Sequence, residues 1–154
     1  MSMRMPSRAS LGPWSKSSLA GVTLAALSSA AQAPLDVRVA LVIGNAAYQH
    51  VTALSNPVND AKAMSLVLSK LGFKVVNVVD ANRAGMARAI EQMQAQIKDK
   101  QAVAMLYYAG HGLQLDWRNY LVPVDANPQS SADVPRQTID IEEVIKAFKI
   151  PARA

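Results

Sequence analysis

Apolar and polar positions alternate along the chain in blocks that predict strands and helices in turn. Val37 to Ile43 is β-branched and apolar except for Arg38, the pattern of a strand covered on both faces. Gly44-Asn45 stops it. Asn56-Pro57 predicts a helix start, with Asn56 as N-cap and Pro57 at the first helical position. Ala61, Met64, Leu68 and Leu71 recur at three- and four-residue spacing and predict its apolar face, and Gly72 predicts its end. Phe73 to Val79 predicts a second strand. After Asp80 to Asn82, the stripe Met86, Ala89, Ile90, Met93 and Ile97 predicts a second helix, with Lys98 and Lys100 at its carbonyl end. Ala102 to Tyr108 predicts a third strand, followed by Ala109-Gly110-His111-Gly112. Leu113 to Val124 reads as a hairpin with Asp116 to Asn119 at its tip, and residues 125 to 138 read as loop. Asp140 to Phe148 predicts a third helix. Asp140 and Glu143 are spaced for a capping box, and Ile141, Val144, Ile145 and Phe148 form the face. Strands alternating with helices pair in parallel, so the fold expected is α/β, a three-layer doubly wound and mostly parallel sheet.

The first 33 residues follow a different pattern. Met1 to Ser18 is basic and Ser-rich, Leu19 to Ala31 is apolar and small, and Ala31-Gln32-Ala33 matches an A-x-A cleavage site. This is the layout of a secretory signal peptide, and the apolar run is too short to span a bilayer. The expected organisation is a signal peptide over 1–33, one domain over 34–150 and a tail over 151–154. The expected location is the periplasm or outside the cell, without a stable membrane anchor.

Composition narrows the chemistry. The 154 residues include 16 Lys and Arg, 11 Asp and Glu, two His and no Cys. Disulfides, thiolate metal sites and a cysteine nucleophile within this chain are therefore excluded. The net charge of +5 hints at nucleic acid. However, Arg4, Arg8 and Lys16 fall in the acid-free leader, and the remainder carries 13 basic against 11 acidic residues in mixed order. No nucleic-acid partner is expected.

In open α/β sheets, function gathers outside the carboxyl ends of the strands. Gly44-Asn45 and Gly110-His111-Gly112 stand at two such ends. His111 between two glycines is sterically open, suits proton transfer near neutral pH, and has a glycine N–H beside it that could face a developing oxyanion. Phosphate-cradling and nucleophile-elbow motifs are missing, which argues against a nucleotide binder or an α/β-hydrolase. His50 and His111 are the only imidazoles, so no metal site and no cofactor are expected. His50 is expected to be exposed. Trp117 and Tyr120 are expected to pack around the hairpin, and Tyr107 and Tyr108 to face opposite sides of their strand.

Five segments carry a resemblance: Arg38 to Asn45, Leu54-Ser55-Asn56-Pro57-Val58-Asn59-Asp60-Ala61, Leu71-Gly72-Phe73, Tyr107 to Gly112, and Asn119 to Ala126. In order and spacing they resemble the large-subunit region of bacterial caspase-like (metacaspase- or orthocaspase-type) cysteine peptidases, over residues 36 to 150. The resemblance implies peptide-bond hydrolysis by a Cys–His dyad, with His111 as catalytic histidine and the Gly112 N–H as oxyanion donor. It implies that the nucleophile follows a fourth strand, near position 160, past the last residue given. The domain is therefore expected to be incomplete at its C-terminal side and inactive alone, with the outer edge of Ala102 to Tyr108 open. Asn45, Asp60 and Asp125 are the substrate contacts the resemblance suggests, with a peptide or protein as substrate. A non-catalytic caspase-like module that binds peptide, or pairs with a second chain at the open strand edge, is the alternative reading.

Overall fold

The computed structural model describes residues 37–148. The predicted signal peptide and tail lie outside them. In chain order the elements are β1 (Val37–Gly44), α1 (Pro57–Lys70), β2 (Lys74–Val79), α2 (Arg83–Ile97), β3 (Ala102–Ala109), β4 (Gly112–Leu115), β5 (Arg118–Leu121), a 3-10 turn (Ser131–Asp133), α3 (Val134–Gln137), β6 (Ile139–Asp140) and α4 (Ile141–Ala147).

β1 is the middle strand of a parallel sheet ordered β2-β1-β3. Its apolar run is double-sided because both faces are covered. Val39, Leu41 and Ile43 pack with Met86, Ala89, Met93 and Ile97 of α2 and Val144 of α4. Ala40 and Val42 pack with Ala61 and Leu68 of α1. These three layers are the α/β sandwich expected from the sequence. Each Val, Leu or Ile fully buried this way contributes about 1.5–3 kcal/mol relative to exposure. Arg38, the one charge in the strand, is exposed, and its guanidinium donates to the Leu71 carbonyl at the end of α1 (3.1 Å).

The element ends depart from expectation where local hydrogen bonding overrides spacing. Pro57 opens α1 and Asn56 holds the N-cap position, but the Asn56 side chain makes no cap hydrogen bond. Leu71 is 57% exposed rather than part of the apolar face, because it already lies beyond the last helical residue. Gly72 ends the helix at φ +80°, a conformation that favours glycine. α2 follows the expectation: Asn82 accepts from the Gly85 N–H (2.8 Å), and the Lys100 ammonium reaches the Gln96 carbonyl (2.9 Å).

A second sheet, antiparallel and ordered β4-β5-β6, flanks the first. The stretch expected to be loop contains the 3-10 turn and α3. β6 was not foreseen either. Asp140 is extended, pairs with Tyr120 in the ladder and then caps α4 by accepting from the Glu142 N–H (2.8 Å). The bond goes to Glu142 rather than to the Glu143 N–H that a capping box would use, and the other carboxylate oxygen holds Arg118. Val144 is buried under α4, while Ile145 is 52% exposed.

At the hairpin tip Asp116 and Trp117 have φ of +49° and +62°. Two positive φ values match the twist of a two-residue hairpin, but this region is unfavourable for a bulky side chain. Tyr120 is buried as expected, whereas Trp117 is 93% exposed and packs on nothing that would offset the strain. Relief of a left-handed residue is worth about 1–2 kcal/mol, against about 0.5–1 kcal/mol for the extra unfolded-state freedom of glycine. Trp117→Gly is therefore expected to raise stability by up to about 1 kcal/mol, read as a higher urea midpoint with an unchanged slope.

Candidate active site

The carboxyl ends of the three parallel strands meet at one edge. The Asn45 N–H donates to the Ala109 carbonyl (2.9 Å), joining the tips of β1 and β3, and the Asp80 N–H donates to the Gly44 carbonyl (2.9 Å), joining β2 to β1. A Cβ on Gly44 would lie 2.5 Å from the Pro57 carbonyl oxygen and 2.6 Å from the Ala61 Cβ, so the first turn of α1 rests directly on bare backbone.

Asn45 was expected to contact substrate. Its side chain is instead fully buried. Oδ1 accepts from the Ala81 N–H (2.9 Å), and Nδ2 donates to the carbonyls of Val122 (3.2 Å) and Ala81 (3.4 Å) and faces the Met86 sulfur (3.6 Å). The amide is consumed by main chain arriving from β2 and β5, and no group remains for a ligand. Asn45 lies beneath the site and braces it.

His111 follows β3 immediately and is half-buried. Its Nε2 lies 2.8 Å from the Thr52 carbonyl oxygen. The ring of Tyr48 sits beside the imidazole, with centroids 4.6 Å apart and planes tilted by 55°. The His111 N–H donates to the Tyr48 hydroxyl (2.7 Å), and the Tyr108 hydroxyl donates to the His111 carbonyl (2.7 Å). Burial is the main cause that pushes the Tyr108 phenol well above its ordinary pKa, aided by the Tyr48 hydroxyl beside it. Tyr107 packs on the other side of the sheet, toward α1, so the two tyrosines do face opposite ways.

The two glycines beside His111 differ. A Cβ on Gly110 would lie 2.6 Å from both tyrosine hydroxyls, so a side chain here would push them aside. A Cβ on Gly112 would make only ordinary contact with the Tyr120 carbonyl (3.5 Å). Gly112 faces Leu121 across the ladder, and the adjoining bond runs from the Val122 N–H to the His111 carbonyl (3.1 Å). Gly112 and Leu121 are thus a non-hydrogen-bonded pair, and the Gly112 N–H points away from β5. A groove of about 390 Å³ opens here, lined among others by Tyr108, Gly110, Gly112, Leu113, Tyr120 and Ile141.

Asp60 is exposed in the first turn of α1, at the positive end of the helix. Asp125 is also exposed, and its carboxylate accepts from the Arg83 N–H (3.1 Å) at the start of α2. His50 is exposed, as expected. The sequence reading missed three contributors. Asp80, at φ +48°, turns its carboxylate onto the N–H groups of Ala46 (2.7 Å) and Ala47 (2.9 Å) and so anchors the loop after β1. Tyr48 and Thr52 stand on that loop. An acid directly after a strand, on the same edge as His111, was a visible signal for Asp80. The Thr52 contribution is a backbone carbonyl and has no side-chain signature. Among the described residues, no three His, Asp or Glu side chains gather as a metal site.

A family model described as the caspase domain matches residues 37–150. The chain is 38% identical over 95 residues to the mucosa-associated lymphoid tissue lymphoma translocation protein 1 of Homo sapiens, and equally to its homolog from Mus musculus. The match covers 61% of this chain and 11% of each relative.

The role of Asn45 is directly testable. Asn45→Ala strips the buried Ala81 N–H of its partner and takes one donor each from the Val122 and Ala81 carbonyls, the latter still bonded to the Val124 N–H (3.1 Å); a buried group left bare costs about 1–3 kcal/mol. The expected loss is roughly 2–4 kcal/mol in urea unfolding. A change below about 0.5 kcal/mol, the size expected of a surface substitution, would overturn the bracing role of Asn45.

Proposed function

The chain belongs to the caspase-domain family, and on that premise we propose that it carries the histidine half of a cysteine–histidine endopeptidase centre. The observation that supports this most is the short contact from His111 Nε2 to the Thr52 carbonyl. A carbonyl only accepts, so Nε2 carries the hydrogen and Nδ1 of the neutral ring is the free base.

In this reading Nδ1 takes the proton of a cysteine thiol, and the thiolate attacks the scissile carbonyl of a bound peptide. The carbonyl oxygen becomes an oxyanion facing the outward Gly112 N–H. The imidazolium returns its proton to the departing amine, and the acyl group stays on sulfur until water, deprotonated by the same Nδ1, releases it. The sequence contains no Cys, so the thiol must come from outside these 154 residues, and the chain by itself hydrolyses nothing. Among the acids, Asp60 keeps the role of a contact for a basic side chain of the substrate, while Asp125 is committed to the start of α2.

The missing thiol also favours a second reading, a caspase-like module that binds a peptide or a second chain without cutting. The groove beside His111 would then be its binding surface.

One experiment separates the two. The coding DNA is read in all frames through and beyond codon 154, and any following apolar strand that ends in cysteine is joined to the chain. Thiol-dependent cleavage of a fluorogenic peptide is expected, reduced by His111→Ala about a hundredfold to ten-thousandfold. Cleavage by the chain as it stands that survives His111→Ala would falsify the first reading. If no cysteine-bearing strand follows and the chain purifies as a monodisperse species that retains a peptide, the second reading takes over.

We further propose that residues 1–33 direct export. Expressed with its leader, the protein should be recovered outside the cytoplasm with a new N-terminus near Gln32 to Pro34. Recovery of intact Met1 in the cytoplasmic fraction would contradict this.

A further inference from the structure

We propose that Tyr48 and Tyr108 are positioning residues that hold the His111 imidazole through its backbone. The inference rests on the reading of His111 as the acid–base group.

The hydroxyls close a ring of hydrogen bonds around one residue. The His111 N–H donates to Tyr48 Oη (2.7 Å), and Tyr108 Oη donates to the His111 carbonyl (2.7 Å). The two hydroxyl oxygens are 3.2 Å apart. Each phenol has one proton. The Tyr108 proton goes to the His111 carbonyl, its shortest contact. The Tyr48 proton is then free to go to the Tyr108 oxygen, which completes a one-way circuit: His111 N–H to Tyr48, Tyr48 to Tyr108, Tyr108 to His111 C=O. The Tyr108 oxygen also takes the Val122 N–H (3.2 Å), which ties the ring to the end of β5; the Val122 carbonyl, 3.0 Å from Tyr108 Oη and 3.3 Å from Tyr48 Oη, is a competing acceptor for the same two protons and has the Asn45 amide as its own donor (3.2 Å).

Three further observations agree. Gly110 occupies the inside of the ring, where any Cβ would meet both hydroxyls at 2.6 Å. Tyr48 adds its ring face beside the imidazole, leaving the His111 side chain between an aromatic wall and the Thr52 carbonyl. Burial keeps the Tyr108 phenol protonated across the neutral range, so it remains a donor. Tyr48 reaches the site from the loop after β1 and Tyr108 from β3, so two separate segments grip the same peptide unit. A strand-end loop next to a glycine would otherwise let the imidazole swing away from Thr52, and with it the choice of which nitrogen is the base.

The test is nitrogen NMR on the full chain carrying ¹⁵N-labelled histidine. The chain has two histidines, and exposed His50 serves as the internal reference. In the parent chain His111 is expected to show the widely separated nitrogen shifts of a fixed Nε2–H tautomer, and His50 those of a mobile mixture. In Tyr48→Phe and in Tyr108→Phe, the His111 separation is expected to fall by at least half toward that of His50. Tyr107→Phe, on the opposite side of the same strand, should leave it unchanged. A fixed tautomer that persists in both hydroxyl-deleted variants overturns the positioning role while leaving the reading of His111 intact. If the parent chain has no fixed tautomer, the reading of His111 itself fails and the positioning role fails with it. Should Tyr108→Phe not fold, Tyr48→Phe decides alone. A Tyr48→Phe chain that loses its fold also overturns the proposal, because the hydroxyl would then serve the fold and not the histidine.

Discussion

One buried amide holds the working edge of this domain together. Asn45 is the first residue after the central strand, and its side chain satisfies main-chain groups of Ala81 and Val122 at once. Those groups belong to segments about 36 and 77 residues away along the chain. In a site that excludes water, an amide with all its partners rigidifies its surroundings, and a partly satisfied one destabilises them. The Asp80–Ala81 turn and the Val122 end of β5 are therefore fixed relative to β1 by one side chain, and Asp80 in turn anchors the loop that carries Tyr48.

The layered architecture was legible because it follows from periodicity. A strand apolar on both faces must be covered twice, and the stripes of α1 and α2 identify the covers. What escaped had no period to read. β6 is two residues long and α3 four, too short for any repeat to register. Leu71 falls at the right spacing for a buried face, but the helix has ended there, so a residue that completes the pattern in sequence is exposed in space. Trp117 was expected to pack because tryptophan usually buries its area, yet the turn geometry aims it outward.

Around His111, the sequence displays the two neighbouring glycines but not the reasons for them. Gly110 and Gly112 look equivalent in a Gly-His-Gly motif. Only the structure separates a glycine demanded by two hydroxyls from one that merely continues a strand. Asn45 reads as a ligand contact because a polar residue at a strand tip looks the same whether it meets a ligand or, as its buried amide does, the protein's own backbone. Partners 36 and 77 residues away cannot be read from local pattern. The Thr52 carbonyl is a contribution that any residue type could make, so nothing in the residue type announces it.

The parallel register of β1 also sets a schedule for synthesis. β1 pairs first with β2, about 35 residues later, and then with β3, about 65 residues later. At roughly 5–20 residues per second, the partner for its second edge arrives about 3–13 s after β1 itself. For that interval the most apolar strand of the chain has a free row of N–H and C=O groups, and the Asn45 amide still awaits Val122. The hazard of pairing with the wrong chain is therefore greatest while the protein is still being made, before His111 has been added to it.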